Sequence, residues 1–192
     1  TQPLRTRFGI SEKLAPYAPT PVVVKDGRRY RIDWNRPKSI GPVRTFLSST
    51  GATLRSYAYI RTLGSAGMRR VADGAVLNAN YLRVKLRDVL EMPYDRVCMH
   101  EFVASATPLK DRTGVKTLDI AKRLLDLGFH PPTVYFPLIV SECLMIEPTE
   151  TESKTTLDSF SDAIHRIVRE AETEPETVTT APHSMPVRRL DE

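Results

Sequence analysis

Residues 130–153 read HPPTVYFPLIVSECLMIEPTETES. Three prolines, Pro131, Pro132 and Pro137, cut this stretch into short apolar runs: Val134–Phe136, Leu138–Val140 and Cys143–Ile146. Runs this short, bounded by residues that restrict the backbone, predict strands rather than helices. The spacing predicts two of them, near Thr133–Phe136 and Cys143–Ile146. Glu147-Pro148-Thr149-Glu150 follows, then Ser153, a residue type that caps helix N-termini. Beyond it Leu157, Phe160, Ile164, Ile167, Val168 and Ala171 recur at helical period. The stretch therefore reads as strand, strand, helix. Short strands held in fixed directions suit the wall of a site.

Working outward, LDIAKRLLDLG (118–128) reads as a short helix capped by Thr117 and closed by Gly128. RVCMHEFVAS (96–105) reads as a strand. Met68, Val71, Ala72, Ala75, Val76, Ala79, Leu82, Leu86 and Val89 form the strongest helical stripe in the chain, ended by Pro93. An earlier helix starts from Gly41, with Val43, Phe46, Leu47, Leu54, Tyr57 and Ala58 on one face; Gly51 weakens its middle and Gly64 stops it. Val22–Val24 and Arg29–Ile32 read as a hairpin about an Asp26-Gly27 turn. Pro3, Pro16, Pro19 and Pro21 mark the residues before it as a lead-in. After Glu174 the sequence has no period and reads as a surface-wrapping or mobile tail. The order of elements predicts an α+β fold, helices packed on a small, mostly antiparallel sheet. Three segments are expected: residues 1–40 (lead-in and hairpin), 41–174 (the α+β domain with its leading helix) and 175–192 (an irregular tail).

The 192 residues suffice for one domain with a real core. No apolar run approaches the roughly 20 residues needed to span a bilayer, and no charged-then-apolar leader opens the chain at Thr1, so neither a membrane span nor a secretion signal is expected. Cys98 and Cys143 are too few for a disulfide scaffold and read as buried, reduced thiols of a cytoplasmic protein. His100 is the one histidine close to either, so no metal site is expected. The net charge of +5 is uneven: residues 1–36 carry eight Lys/Arg against three Asp/Glu, residues 147–192 five against eleven. The basic front reads as a solvated surface in preference to a nucleic-acid patch, because Tyr17, Tyr30 and Trp34 are too sparse for a stacking platform.

Neither a glycine-rich phosphate loop nor a G-x-S-x-G elbow occurs. His165 lies beside the apolar stripe of the last helix and reads as a surface residue; His183 lies in the tail. His100 alternates with Cys98 and Phe102 on one strand face, as either a hydrogen-bonded rim residue or a polar group shown to a ligand. His130 precedes two prolines, which restrict its backbone; it is a plain loop residue or a fixed site group. Asn78 and Asn80 sit inside an apolar helix where asparagine is a poor choice, so each must bond across to a neighbouring segment or to a ligand, the former being favoured. Glu147, Thr149 and Glu150 form an acidic approach to the last helix, complementing its dipole, or part of a site. None of these names a reaction.

Together, RSYAYIRTLG, AVLNANYL, MHEFV, DIAKRLLDLGFHPPTVYFPL and LMIEPTETESKTTLDSFSDAI resemble the C-terminal part of the glycine-cleavage-system P-protein family, the decarboxylating glycine dehydrogenases. HPPTVYFPLIV is most similar to subunit 2 (the β subunit) of the split form. The resemblance runs from about Phe8 to the end of the last helix. It implies the small C-terminal domain of an aspartate-aminotransferase-like, fold type I enzyme dependent on pyridoxal phosphate. It also implies an oxidoreductase that decarboxylates glycine and passes the aminomethyl group to the lipoyl arm of the H-protein, with P-protein subunit 1 as a further partner. The family's cofactor lysine lies in a His-Lys-Thr stretch that this sequence lacks: Lys13, Lys25, Lys38, Lys85, Lys110, Lys116, Lys122 and Lys154 all stand in other contexts. The chain is therefore expected to hold no pyridoxal phosphate stably and to be inactive alone. On this reading residues 130–149 face the cleft, and His100, His130 and Thr149 are expected to line it, with Asn78 and Asn80 behind it as supporting or packing residues; the family match does not by itself assign them roles, and no catalytic residue is expected in this chain. The alternative is a non-catalytic binding or structural module that keeps the small-domain fold; a basic nucleic-acid binder is the third reading.

Overall fold

The structure, a computed structural model, describes residues 13–43 and 49–190 and divides into two units, Thr1–Thr62 and Leu63–Glu192. In the first unit a 3-10 turn, Ala15–Tyr17, leads to a hairpin of β1 (Val22–Asp26) and β2 (Arg29–Asp33). Gly27 takes the left-handed conformation (φ 60°) that the two-residue turn demands. The register pairs Val23 with Ile32 and Lys25 with Tyr30. One hairpin face therefore carries Val23, Tyr30 and Ile32, which are 62%, 69% and 49% exposed. Residues 15–20 are tied back to residues 36–41 by Ile40 N–H donating to Tyr17 O (3.1 Å) and Ser39 Oγ donating to Ala18 O (2.7 Å).

Helix α1 runs Thr50–Leu86 and is broken at Gly64, whose φ of 62° with ψ −178° is open to glycine and strained for other residues. Gly64 thus interrupts the helical run where the sequence reading has it stop. Gly51 falls in the first turn, where its cost is small, and not mid-helix. Leu54 and Tyr57 of the expected stripe are exposed, as is Val43; Phe46 and Leu47 lie outside the described residues, as do Pro3 and Phe8.

In the second unit, after α1, come β3 (Phe102–Ser105), α2 (Thr107–Thr113), α3 (Thr117–Asp126), β4 (Thr133–Val134), β5 (Cys143–Ile146), α4 (Lys154–Thr173) and α5 (Pro175–Thr179). The sheet has order β3-β5-β4, antiparallel throughout, with Phe102 opposite Ile146 and Thr133 opposite Met145. The core joins Ala79, Leu82 and Leu86 of α1 to Leu144 and Ile146 of β5, with Leu124 of α3 and Leu157, Ile164 and Ile167 of α4. Each leucine or isoleucine among them, fully buried, contributes roughly 1.5–3 kcal/mol. The α+β class and the antiparallel small sheet agree with the sequence reading.

Several boundaries differ, each for a physical reason. The 96–105 strand begins only at Phe102, because the peptide N–H and C=O of Cys98 are both taken by the Asn80 side chain and cannot join a ladder. The shared strand face of Cys98, His100 and Phe102 therefore does not form. The helix expected to reach Val89 ends at Leu86, whose carbonyl accepts from both Val89 and Leu90 N–H. Thr117 does not cap α3: Asp119 accepts the Lys116 N–H (2.7 Å), and Thr117 instead bonds Glu142 through both its N–H and its hydroxyl. Helix α2, closed by Gly114 at φ 78°, has one buried apolar residue, Leu109, and so shows no period to read. The residues after Glu174 form α5 and are then anchored, Arg189 donating to Ala181 O and Asp119.

Ser153 caps α4 as expected, its hydroxyl accepting from Thr156 N–H at 3.1 Å. Ser153→Ala is expected to cost about 1 kcal/mol, seen as a lower urea midpoint at unchanged slope.

Candidate functional site

The break after α3 makes the site. Gly128, at φ 82°, turns the chain, and the Phe129 N–H returns to Leu124 O (3.0 Å). Phe129 is thereby pressed edge-on against Phe160 of α4, ring centroids 5.4 Å apart at 82°. Pro131 and Pro132 disfavour helical geometry at His130 and Pro131, just ahead of β4. On the far side β5 ends at Ile146, and Glu147, Pro148 and Thr149 lead toward α4. Between the two segments lies a cavity of about 420 Å³. Its floor is apolar, made by Leu82, Phe129, Leu157 and Phe160. Its polar rim is His130, Thr133, Glu147, Thr149, Glu152 and Thr156. Neither lysine nor arginine occurs among the described residues that line it.

The cavity brings together two of the three residues assigned to the cleft, His130 and Thr149, both exposed at its rim. His100 stands outside the lining, beside it: its Nε2 is 3.9 Å from Glu147 Oε1. Glu101 directly precedes Phe102, the first residue of β3 to pair with β5, and Glu147 directly follows its partner Ile146. His100, Glu101 and Glu147 offer ligand-type atoms within 4.8 Å of one another, on a largely exposed surface. Of the acidic residues before α4, the sequence reading singles out Glu147 and Glu150, as a helix entry or part of a site; the cavity takes Glu147 and adds Glu152, which spacing alone does not pick out.

Asn78 and Asn80 are not on the cavity. The Asn78 amide donates to Thr149 O (2.8 Å) and Glu152 O (3.2 Å). Asn80 donates to Val76 O and Cys98 O (both 2.8 Å) and accepts from Cys98 N–H (3.0 Å). Each bonds across to another segment.

The chemistry this wall can perform unaided is limited. Burial pushes the Cys98 and Cys143 thiols up, so neither is poised as a thiolate nucleophile near neutral pH. The threonines and His130 can orient a polar ligand over the apolar floor, and the floor excludes water. Without a lining lysine the cavity offers no amine for a covalent link to an aldehyde.

Residues 71–187 match the family described as the C-terminal domain of glycine dehydrogenase. The chain is 56% identical over 185 residues to the probable glycine dehydrogenase (decarboxylating) subunit 2 of Fervidobacterium nodosum, covering 96% of this chain and 39% of that protein. It is likewise 56% identical over 184 residues to the probable subunit 2 of Halalkalibacterium halodurans, covering 96% of this chain and 38% of the relative. The chain thus spans about two fifths of the length of the curated relatives it matches. A crystal structure of glycine decarboxylase (P-protein) of the glycine cleavage system, in inhibitor-bound form, superposes with a TM-score of 0.62 at 19% identity, over 81% of this chain and 37% of that one. That likeness shows the fold.

Proposed function

The chain belongs to the family of glycine dehydrogenase C-terminal domains, and from that premise we propose that it is the small C-terminal domain of subunit 2 of a two-chain, pyridoxal-phosphate-dependent glycine decarboxylase. In the whole enzyme glycine loses carbon dioxide and the aminomethyl group passes to the lipoyl arm of the H-protein. The observation that carries this reading is the 56% identity over 96% of the chain. The role of this domain is to wall the cleft: His130, Thr133 and Thr149 orient the polar part of a substrate, and the Phe129–Phe160 floor keeps water from it. The residues that line the cavity do not fit the cofactor's own site, lacking both an amine for its aldehyde and cations for its phosphate. We assign those groups, and the subunit 1 and H-protein contacts, to the enzyme as a whole. The exposed apolar residues Val23, Tyr30, Leu54 and Tyr57 support this reading, since single domains rarely leave so much large apolar surface to water. No helix among the described residues is long and apolar enough to cross a membrane.

The test is isotope exchange. Full-length subunit 2 bearing this domain, with subunit 1, pyridoxal phosphate and lipoylated H-protein, is expected to exchange labelled bicarbonate into the glycine carboxyl. A folded, assembled pair that gives no exchange, beside an active relative as control, overturns the reading. This chain alone, mixed with pyridoxal phosphate and borohydride, is expected to yield no stoichiometric lysine adduct; a single stable adduct would refute the claim that it holds no cofactor.

A further inference from the structure

We infer that Asn78 and Asn80 are positioning residues: a two-pronged clip on α1 that sets the spacing of the cleft mouth, and through it the turnover of the enzyme. The inference rests on the reading of the cleft just given.

Residues two apart on an α-helix, at 3.6 residues per turn, point about 200° away from each other. Asn78 and Asn80 therefore leave α1 on opposite sides, and each grips a different segment. Asn80 closes a two-bond ring with the peptide group of Cys98, donating to its C=O (2.8 Å) and accepting its N–H (3.0 Å). That pairing imitates a neighbouring strand and fixes the backbone two residues before His100. Asn78 gathers two carbonyls, Thr149 O (2.8 Å) and Glu152 O (3.2 Å), and fixes the turn that follows Glu147. The two held segments meet between these points, where His100 Nε2 stands 3.9 Å from Glu147 Oε1. A third tie, the Phe102–Ile146 pair, joins them from the sheet side. The Glu147 side of the cavity and the His100 segment that braces it from outside are thus set by three fixed points, two of them on a single helical turn.

Asparagine costs an α-helix roughly 0.5–0.7 kcal/mol per residue relative to alanine. Two of them within three positions of α1 are therefore explained by what they hold. The two prongs also differ chemically. Asn78 acts only as a donor, so Asn78→Asp would set carboxylate oxygens against two carbonyl oxygens. Asn80 acts as both, so Asn80→Asp keeps the acceptor for Cys98 N–H and loses the donor.

The experiment uses full-length subunit 2 with its partner subunit, measuring kcat per folded enzyme, KM for glycine, and amide exchange at Cys98. Asn78→Ala and Asn80→Ala are each expected to lower kcat about tenfold or more, the scale on which misplaced supporting residues act, with KM changed less. Asn78→Asp is expected to fall below Asn78→Ala. Cys98 N–H is expected to exchange slowly in the wild type, fast in Asn80→Ala and at an intermediate rate in Asn80→Asp. A merely structural role would lower the thermal midpoint and leave kcat of the folded enzyme alone. If both alanine variants keep kcat within twofold of wild type, or if Asn78→Asp is no worse than Asn78→Ala, the clip is refuted. If the wild-type pair itself is inactive, the proposed reaction falls and the claim on turnover falls with it; exchange at Cys98 then tests the grip alone, which deprotection in Asn80→Ala upholds and an unchanged rate overturns.

Discussion

Arg123→Ala is expected to destabilise the Leu63–Glu192 unit by about 3–5 kcal/mol, the range for removing one partner of a buried ion pair. Arg123 is 8% exposed. Its fork grips Glu170 of α4 by two parallel bonds, Nε to Oε2 at 2.8 Å and Nη2 to Oε1 at 3.0 Å, and a third bond reaches Asp126 at 3.1 Å. The Arg123 hydrogen bond is the main reason that the Glu170 carboxyl is held below its ordinary range. Removing the guanidinium strips Asp126 of that bond and leaves Glu170 with its bond from Arg166 (2.8 Å), both carboxylates having little water access. Arg123→Lys restores the charge without the fork and is expected to recover only part of the loss. Urea unfolding followed by circular dichroism measures both; a loss under 1 kcal/mol in the alanine variant would show that the network is not holding α3 to α4.

The second large effect belongs to Glu142, and it carries a pH signature. Glu142 is 7% exposed and sits at φ 46°, just before β5. Its carboxylate accepts from Lys110 Nζ at 2.5 Å and from the buried Thr117 N–H at 2.9 Å, while its own carbonyl accepts from the Thr117 hydroxyl and Ala106 N–H. Glu142→Ala strands the Thr117 N–H, and the expected cost is about 2–4 kcal/mol. Burial alone would raise the carboxyl; the Lys110 and Thr117 bonds outweigh it, and the group is held below 4.5. A depressed carboxyl adds stability that is fully present above the unfolded value and disappears as pH falls through the folded one. Glu142→Gln keeps an acceptor for Thr117 and loses only the charge. Its deficit against wild type, measured by urea midpoints, is therefore present at pH 7 and closes progressively below pH 4.5. A deficit that persists unchanged at low pH would mean that the charge contributes nothing.

Much of this fold was legible because it is written in local periods. The α4 stripe from Leu157 to Ala171, its Ser153 cap, the Gly128 stop and the two strands around residues 133–146 all follow from spacing and from single residues with strong backbone preferences. What was not legible depends on partners distant in sequence. Residues 96–101 alternate like a strand, yet Asn80, 18 residues upstream, takes the Cys98 peptide out of the ladder. Thr117 has the chemistry of a cap, yet Glu142, 25 residues later, claims it. For the cavity, His130 could be picked out as a polar residue before two prolines, and Thr149 as a hydroxyl in the acidic cluster that follows a strand. Glu152, Thr156 and the Phe129–Phe160 floor could not, because only the closure of α4 onto the turn after α3 brings them to one cavity.

Asp126 shows how the final residues serve the whole. Its carboxylate takes the backbone N–H groups of His183 and Ser184 and the Ser184 hydroxyl, all within 2.9 Å, besides the bond from Arg123. Val178 and Ala181 are fully sealed from solvent on the way there. A gene trimmed at the close of the last long helix would look economical on a hydropathy plot. It would deliver a protein with a greasy notch and a carboxylate stripped of most of its donors, so the smallest version worth expressing for biophysics runs through Arg189.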